Sequence, residues 1–212
     1  NGSAAGRPLS PANVERHKDL EAIVAMVQPD SRVLDLGCGD GDLLALLRRK
    51  RNVSGIGVDI DLASIIDVID KGHDTFQEDI DNGLAMIPDG AYDYAILSET
   101  LQTVRKPRFV LREMLRVAKK GIVTFPNFGK WSHRLALSLT GRMPKGGALP
   151  YEWYETPNIH LFTLDDFVDI CRQDGITISR MVCISDCWLG RLLVSAGLRN
   201  LGADRVLVKI TR

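Results

Sequence analysis

The sequence has no surplus of charge. Its 27 lysines and arginines stand against 27 aspartates and glutamates, so no long-range field recruits nucleic acid or an anionic membrane. That excludes non-specific binding of this kind and leaves only a small local basic patch open. Cysteine is scarce, with four residues at positions 38, 171, 183 and 187. Cys183 and Cys187 have no neighbouring histidine or second cysteine pair to complete a zinc spacing, so no metal is expected. Scattered thiols of this kind are expected as reduced core residues. No apolar run reaches the roughly 18 residues of a membrane span, and no signal-peptide pattern is recognisable. A cytoplasmic protein with neither membrane nor nucleic acid as partner is the expectation.

What is present is an ordinary globular composition, 45% apolar and 25% charged over 212 residues, which suits a single domain with a substantial core. Residues 1–10 read as a disordered leader and 11–212 as the domain. Helical and extended patterns alternate along it. Leu20, Ile23, Val24 and Val27 follow the i, i+3, i+4, i+7 period of one helix face. Arg32 to Leu36 reads as a buried strand, and Leu43, Leu46 and Leu47 return to helical spacing. Val53 to Ile60 is a second strand. Leu62, Ile65, Ile66 and Ile69 predict a helix with those residues inward, closed by Gly72.

Strands follow at 75–79 and 92–98. A helix opens at Pro107 with Phe109, Val110, Met114 and Val117 inward and ends at Gly121; Gly121 to Phe125 is a fifth strand. Thr163-Leu164-Asp165-Asp166 predicts a capping box that starts a further helix. Two β-rich runs, 176–184 and 206–210, close the chain. This order predicts an α/β fold, a three-layer αβα sandwich around a mainly parallel sheet. Two segments break the rhythm. Residues 127–160 read as an insertion, and 185–203 are apolar without a clean strand pattern.

The chemistry-bearing motif is Val33-Leu34-Asp35-Leu36-Gly37-Cys38-Gly39-Asp40-Gly41, at the end of the first strand. Open α/β sheets bind ligands at carboxyl strand ends where the strand order switches direction. Gly37 and Gly39 let the backbone turn sharply and approach a ligand closely. The spacing is G-x-G-x-G behind an acid, not the G-x-G-x-x-G that places a pyrophosphate on a helix N-terminus, so a nicotinamide-dependent oxidoreductase is disfavoured. Asp35 suits a ligand carrying an ammonium group, met directly or through water. Asp59 ends the second strand, where a carboxylate can accept from both ribose hydroxyls. Asp79 follows the third, placed to accept from an adenine amino group while Ile80 packs on the ring. Ser98 and Glu99 follow the fourth strand and line the pocket floor.

These residues resemble class I S-adenosylmethionine-dependent methyltransferases across roughly residues 30–185. The resemblance implies a seven-stranded, Rossmann-like sheet with Asp35, Gly37, Gly39, Asp59 and Asp79 as contacts to S-adenosylmethionine or S-adenosylhomocysteine. Cys38, Ile60, Ile80, Ser98 and Glu99 complete the expected cofactor site. More narrowly, LDLGCGDGDLL, GVDID, FPNFGKW and LPYEWYETPNIHLFT, in that order, resemble the methionine biosynthesis MetW family. That resemblance implies a place beside a homoserine O-acyltransferase.

Each residue also has a plain structural reading. Cys38 is expected as a small side chain under the loop, not a nucleophile. Asp40 and Asp42 are candidate caps for the following helix, and Asp79 is also readable as a solvated turn acid. His17 and His73 are expected at the surface. His160 either locks its segment by a hydrogen bond or serves as a base. Trp131, Tyr151, Trp153 and Tyr154 suit a substrate wall, a lid core or a protein-docking patch. No Asn/Asp-Pro-Pro-aromatic motif follows the fourth strand, which argues against methylation of nucleic-acid bases. The candidates on the acceptor side are Asn127, His133, Tyr151, Tyr154 and His160. Two functions stay open: methyl transfer to a small-molecule acceptor, and non-catalytic control of the acyltransferase by sensing S-adenosylmethionine.

Overall fold

The structure, a computed structural model, describes residues 19–146, 149 and 151–212. The expected leader at 1–10 and His17 lie outside the described residues. Helix α1 is described over 19–24. The order then runs β1 (Arg32–Leu36), α2 (Asp42–Arg51), β2 (Ser54–Asp59), α3 (Leu62–Asp70), β3 (Asp74–Gln77), β4 (Tyr92–Ser98), α4 (Pro107–Val117) and β5 (Ala118–Pro126). It continues with α5 (Trp131–Thr140), α6 (Leu164–Gln173), β6 (Thr177–Ile184), α7 (Trp188–Ser195), α8 (Arg199–Gly202) and β7 (Arg205–Thr211).

The strands form one seven-stranded sheet in the order β3-β2-β1-β4-β5-β7-β6. Strands β1 to β5 pair in parallel, while β7 runs antiparallel to both β5 and β6. The sheet is therefore mixed at one end, where β7 enters between β5 and β6. The chain runs outward from β1 to β3, then crosses back to β4 on the other side of β1, and a crevice opens at the carboxyl ends of β1 and β4.

Strand β1 sits at the centre with four of its five residues buried. Side chains alternate across a sheet. Leu34 and Leu36 enter the core beneath α4 and α6, while Val33 packs with Leu20, Ile23 and Leu47 of α1 and α2. Asp35 shares the parity of Val33 and so faces the side covered by α1 and α2. By the same rule Ser98 follows Tyr94 and Ile96 onto that side.

Thr163 caps α6 as predicted. Its hydroxyl accepts from the Asp166 amide, and the Asp166 carboxylate accepts from the Thr163 amide at 2.8 Å. Three expectations change. On α3 only Ile65 and Val68 are buried, while Leu62, Ile66 and Ile69 are exposed. This helix packs mainly on β2 and the edge strand β3, so one narrow row of its side chains meets the core. Phe109 is 39% exposed, and Leu111 and Leu115 join Val110, Met114 and Val117 inside α4 instead. Gly41 occupies the N-cap position of α2, while the Asp40 carboxylate accepts from the Asp42 amide at 3.2 Å at the helix start; Asp42 itself does not cap but pairs with Lys71 at 2.6 Å. The irregular 185–203 run forms α7 and α8, which cross closely where a Cβ on Gly190 would lie 2.6 Å from the Gly202 carbonyl oxygen. Among the described residues no helix is long and apolar enough to cross a membrane.

Candidate functional site

The loop after β1 is tied to the end of β2. The Gly37 and Cys38 amides donate to the Val58 carbonyl at 2.7 and 3.1 Å, and the Gly39 amide donates to the Asp59 carboxylate at 2.9 Å. The other Asp59 oxygen accepts from the Asp61 amide at 3.0 Å. Each oxygen of Asp59 has a second lone pair left for a ligand hydroxyl. Gly37 has φ +75°, and a Cβ there would lie 2.5 Å from the Thr100 hydroxyl. Only a bare backbone lets this loop pass the segment after β4. Gly39 has φ +52° and nothing within 4 Å of the position a Cβ would occupy, so its face is open for close approach. The Cys38 side chain turns under the loop onto Leu44 and Val68, and burial pushes its thiol up to about 12.

Asp35 is 1% exposed, and its Oδ1 has no hydrogen-bond partner. Burial, reinforced by Asp59 and then Asp40, pushes its carboxyl up to about 7. An orphaned buried carboxylate oxygen costs roughly 1–3 kcal/mol, more when charged, and a cation placed against it would recover that cost.

Two chambers meet over these residues. One, of about 290 Å³, is lined by Val58, Asp59, Ile60, Asp79, Ile80, Thr103, Val104 and Arg105. The other, of about 390 Å³, is lined by Asp19, Leu20, Asp35, Gly39, Leu43 and Ser98. Gly37, Glu99 and Thr100 line both, so the two form one elongated cleft. Ile60 is 62% exposed at its rim, whereas Ile80 is buried. Asp79 caps a short turn through the Asp81 amide at 3.0 Å.

Sequence reading missed several of these residues. They are Thr103, whose amide and hydroxyl donate to the Thr100 carbonyl at 3.0 and 2.8 Å, Val104, and Arg105, whose amide, like that of Lys106, donates to the Asp81 carboxylate at 2.8 Å. Their place after β4 was a usable signal, since that loop borders the crevice in any sheet of this topology. Asp19 gives no local signal; Arg205 of β7 holds it at 2.9 Å.

The acceptor-side candidates stand elsewhere, and none of the five lines the cleft. Asn127 is fully buried, with its amide donating to the Asn200 and Ala203 carbonyls at 2.7 and 2.9 Å and its carbonyl accepting from the Gly129 and Leu164 amides at 3.1 Å each. Its bonding is spent on joining the end of β5 to α6 and to α8 with the residue after it, which removes it as a group acting on an acceptor. His133 is buried against Phe128, and burial together with Lys130 lowers its pKa. Tyr151 lines a separate cavity with Phe128, Trp153 and Leu161, and Tyr154 stands edge-on to Trp153. His160 lines a third cavity with Pro107, Leu111 and Phe167. The amides of Ile159 and His160 donate to the Gln102 carbonyl at 2.9 and 3.0 Å, so this segment leans on the back of the loop that walls the cleft. All four cysteines are free, and among the described residues no three His, Cys, Asp or Glu side chains gather as a metal site.

Solved structures share this architecture. Magnesium protoporphyrin IX methyltransferase from Synechocystis, solved with bound SAH, superposes with a TM-score of 0.69 at 15% identity, covering 99% of this chain and 90% of its own. A SAM-dependent methyltransferase from Archaeoglobus fulgidus gives 0.67 at 16% identity, covering 94% of each chain. The fold is that of Rossmann-like S-adenosylmethionine-dependent methyltransferases. In sequence, the bifunctional methionine biosynthesis protein MetXA/MetW of Rhodopirellula baltica is 32% identical over 97% of this chain, which spans only about a third (34%) of that relative's length. The family model for methionine biosynthesis protein MetW matches residues 17–207, and the chain belongs to that family.

Proposed function

We propose that the protein binds S-adenosylmethionine, or S-adenosylhomocysteine, in the cleft over β1, β2 and β4. The observation that carries this reading is the buried, unpartnered Oδ1 of Asp35 beside the open face of Gly39. Asp35 receives the ammonium of the methionine end. Asp59, already fixed by the Gly39 and Asp61 amides, accepts from the ribose hydroxyls. Asp79 accepts from the adenine amino group, with Ile60, Ile80 and Val104 on the ring. The cofactor, when bound, supplies an activated methyl group. Calorimetric titration with S-adenosylmethionine tests the reading, and no saturation with either ligand defeats it.

Two uses of such a site follow. In methyl transfer the chain aligns a small acceptor for in-line displacement, and proximity and exclusion of water do most of the work. In control of a partner, the protein acts on a homoserine O-acyltransferase through its surface, to the extent that the ligand favours one of two states. The second use gains from the placement of all five acceptor-side candidates off the cleft. It also gains from the Rhodopirellula relative, whose name joins MetXA and MetW in one protein. On this reading the 127–160 insertion, with Trp153 and Tyr154 at 72% and 65% exposure, is the docking side. Incubation with methyl-labelled S-adenosylmethionine, homoserine-pathway metabolites and the acyltransferase separates the two. Label in a small product with turnover supports transfer, and altered acyltransferase rate without label supports control.

A further inference from the structure

The third cavity lies behind the loop that walls the cleft. It measures about 290 Å³ and shares no lining residue with either chamber of the cleft. Its walls come from three places: Leu101 after β4, Pro107 and Leu111 of α4, and Phe167 and Ile170 of α6. Leu101, Leu111 and Phe167 are buried, while Ile159 and Leu161 stand at its mouth, 56% and 46% exposed. Among the described residues that line it there is no lysine or arginine. Its one acid, Asp166, uses Oδ2 on the capping box, accepting from the Thr163 amide and hydroxyl at 2.8 Å each. One polar group is unmatched: His160 lines the cavity, and its Nε2 is out of solvent with no hydrogen-bond partner. The His160 amide already ties the segment to the Gln102 carbonyl at 3.0 Å, so that tie needs only the backbone. A buried ring nitrogen without a bond is a cost that a matching ligand removes.

An apolar enclosure with few polar groups is the usual form of a small-molecule site. We infer that this cavity is a second ligand site, separate from the cleft, for a small aromatic alcohol: a planar apolar ring carrying one hydroxyl. The ring suits the walls. Phe162, which also lines the cavity, and Phe167 each stand 4.8 Å from Phe125 in tilted packing, and an added ring extends that cluster. The hydroxyl suits His160, because it both donates and accepts and so matches Nε2 in either tautomer. An anion finds no cation among these walls, and an ammonium would leave water for a mostly apolar lining. A dry cavity of about 150 Å³ holds a benzene ring, so this volume has room for the ring and its substituents. The inference uses no residue of the cleft and stands independently of the binding reading above.

The test is calorimetric titration of the full chain with p-cresol and with toluene, which has the same ring and methyl group without the hydroxyl. p-Cresol is expected to saturate one site and to bind about tenfold more tightly than toluene, the ratio that one hydrogen bond supplies. His160→Phe keeps a ring but removes the nitrogen; it should weaken p-cresol about tenfold and change toluene by less than about twofold. Ile170→Trp, which fills the cavity from a half-buried position on α6, should abolish binding of both. No saturation with p-cresol overturns the inference, and so does p-cresol binding that survives Ile170→Trp, since the probe then sits elsewhere. Equal affinity for p-cresol and toluene, or unchanged p-cresol affinity in His160→Phe, overturns the ligand class. Should either variant fail to fold, crystals of the wild-type protein soaked with 4-bromophenol decide: bromine density between α4 and α6 supports the site, and density only at other places refutes it. Failure here leaves S-adenosylmethionine binding untouched, because that reading has its own titration.

Discussion

Asp35 and Asn127 are equally withdrawn from water, at 1% and 0% exposure, and each stands near the carboxyl end of a strand of the same sheet. They are built in opposite ways. Asn127 has every donor and acceptor group matched by backbone partners from four other residues. Asp35 keeps an oxygen with no partner, next to a second acid and an open glycine face. A satisfied buried polar group specifies how elements join. An unsatisfied one points to something absent, because burial without a bond is otherwise a pure cost. The contrast extends around each residue. Near Asn127, Asp204 is buried and bound by Lys130, by the Ser185 hydroxyl at 3.0 Å and by the Asp186 amide at 3.1 Å. Near Asp35 lie the left-handed glycines and the strained Glu99.

The largest expected effect lies on the satisfied side. Asn127→Ala strands two amides and two carbonyls and should cost about 4 kcal/mol of stability, read by urea unfolding, while the folded protein still binds S-adenosylmethionine. Loss of binding without loss of stability would reverse the assignment of the two residues. On the other side, Gly39→Val should weaken S-adenosylmethionine binding by about a hundredfold or more, about 3 kcal/mol, because the branched side chain fills the open face. Its melting temperature should fall by only a few degrees, reflecting the cost of φ +52° for a residue with a Cβ. A variant with unchanged affinity removes the loop from the site.

A smaller loss is expected for Asp59→Ala, roughly 1–3 kcal/mol of binding from unpaired ribose hydroxyls; calorimetry that finds wild-type affinity rejects the ribose role. The smallest effect sharpens the comparison through pH. The Asp35 carboxyl sits at about 7 in the fold against an ordinary 3.8. A cationic ligand selects the ionised form, so affinity should fall about tenfold per pH unit below pH 7 and level off above it. Stability of the ligand-free protein should move oppositely. Between about pH 4 and 7 the unfolded carboxyl has lost its proton and the folded one retains it, so this group's contribution declines as pH rises through that window. Asp35→Asn should flatten both trends. Persistence of the affinity slope in that variant would assign it to another group.

Much of this was legible in the residues. The seven strands, the capping box of α6 and the glycine loop rest on local period and turn chemistry, which a sequence displays directly. The five residues that the resemblance implied as cofactor contacts line two adjoining chambers, Asp59 and Asp79 one, Asp35 and Gly39 the other, and Gly37 both. The α3 stripe was misread because helical period reveals an apolar face but not how wide a surface awaits it; Leu62, Ile66 and Ile69 stay outside at the sheet edge. Asn127 was misjudged because its four partners lie up to 76 residues away in the chain.

The order of the strands and of helices α1 to α4 and α6 between them, and the acids and glycines at successive strand ends, were determined by the sequence alone, since each depends on neighbours a few residues apart; α5, α7 and α8 were not legible. The tertiary structure decided which buried polar group is bonded and which is left waiting. It also decided that the aromatic segment faces its own cavities and that Asp19 joins the lining of the cleft. Those outcomes depend on contacts between distant parts of the chain, and no local pattern encodes whether a distant partner arrives.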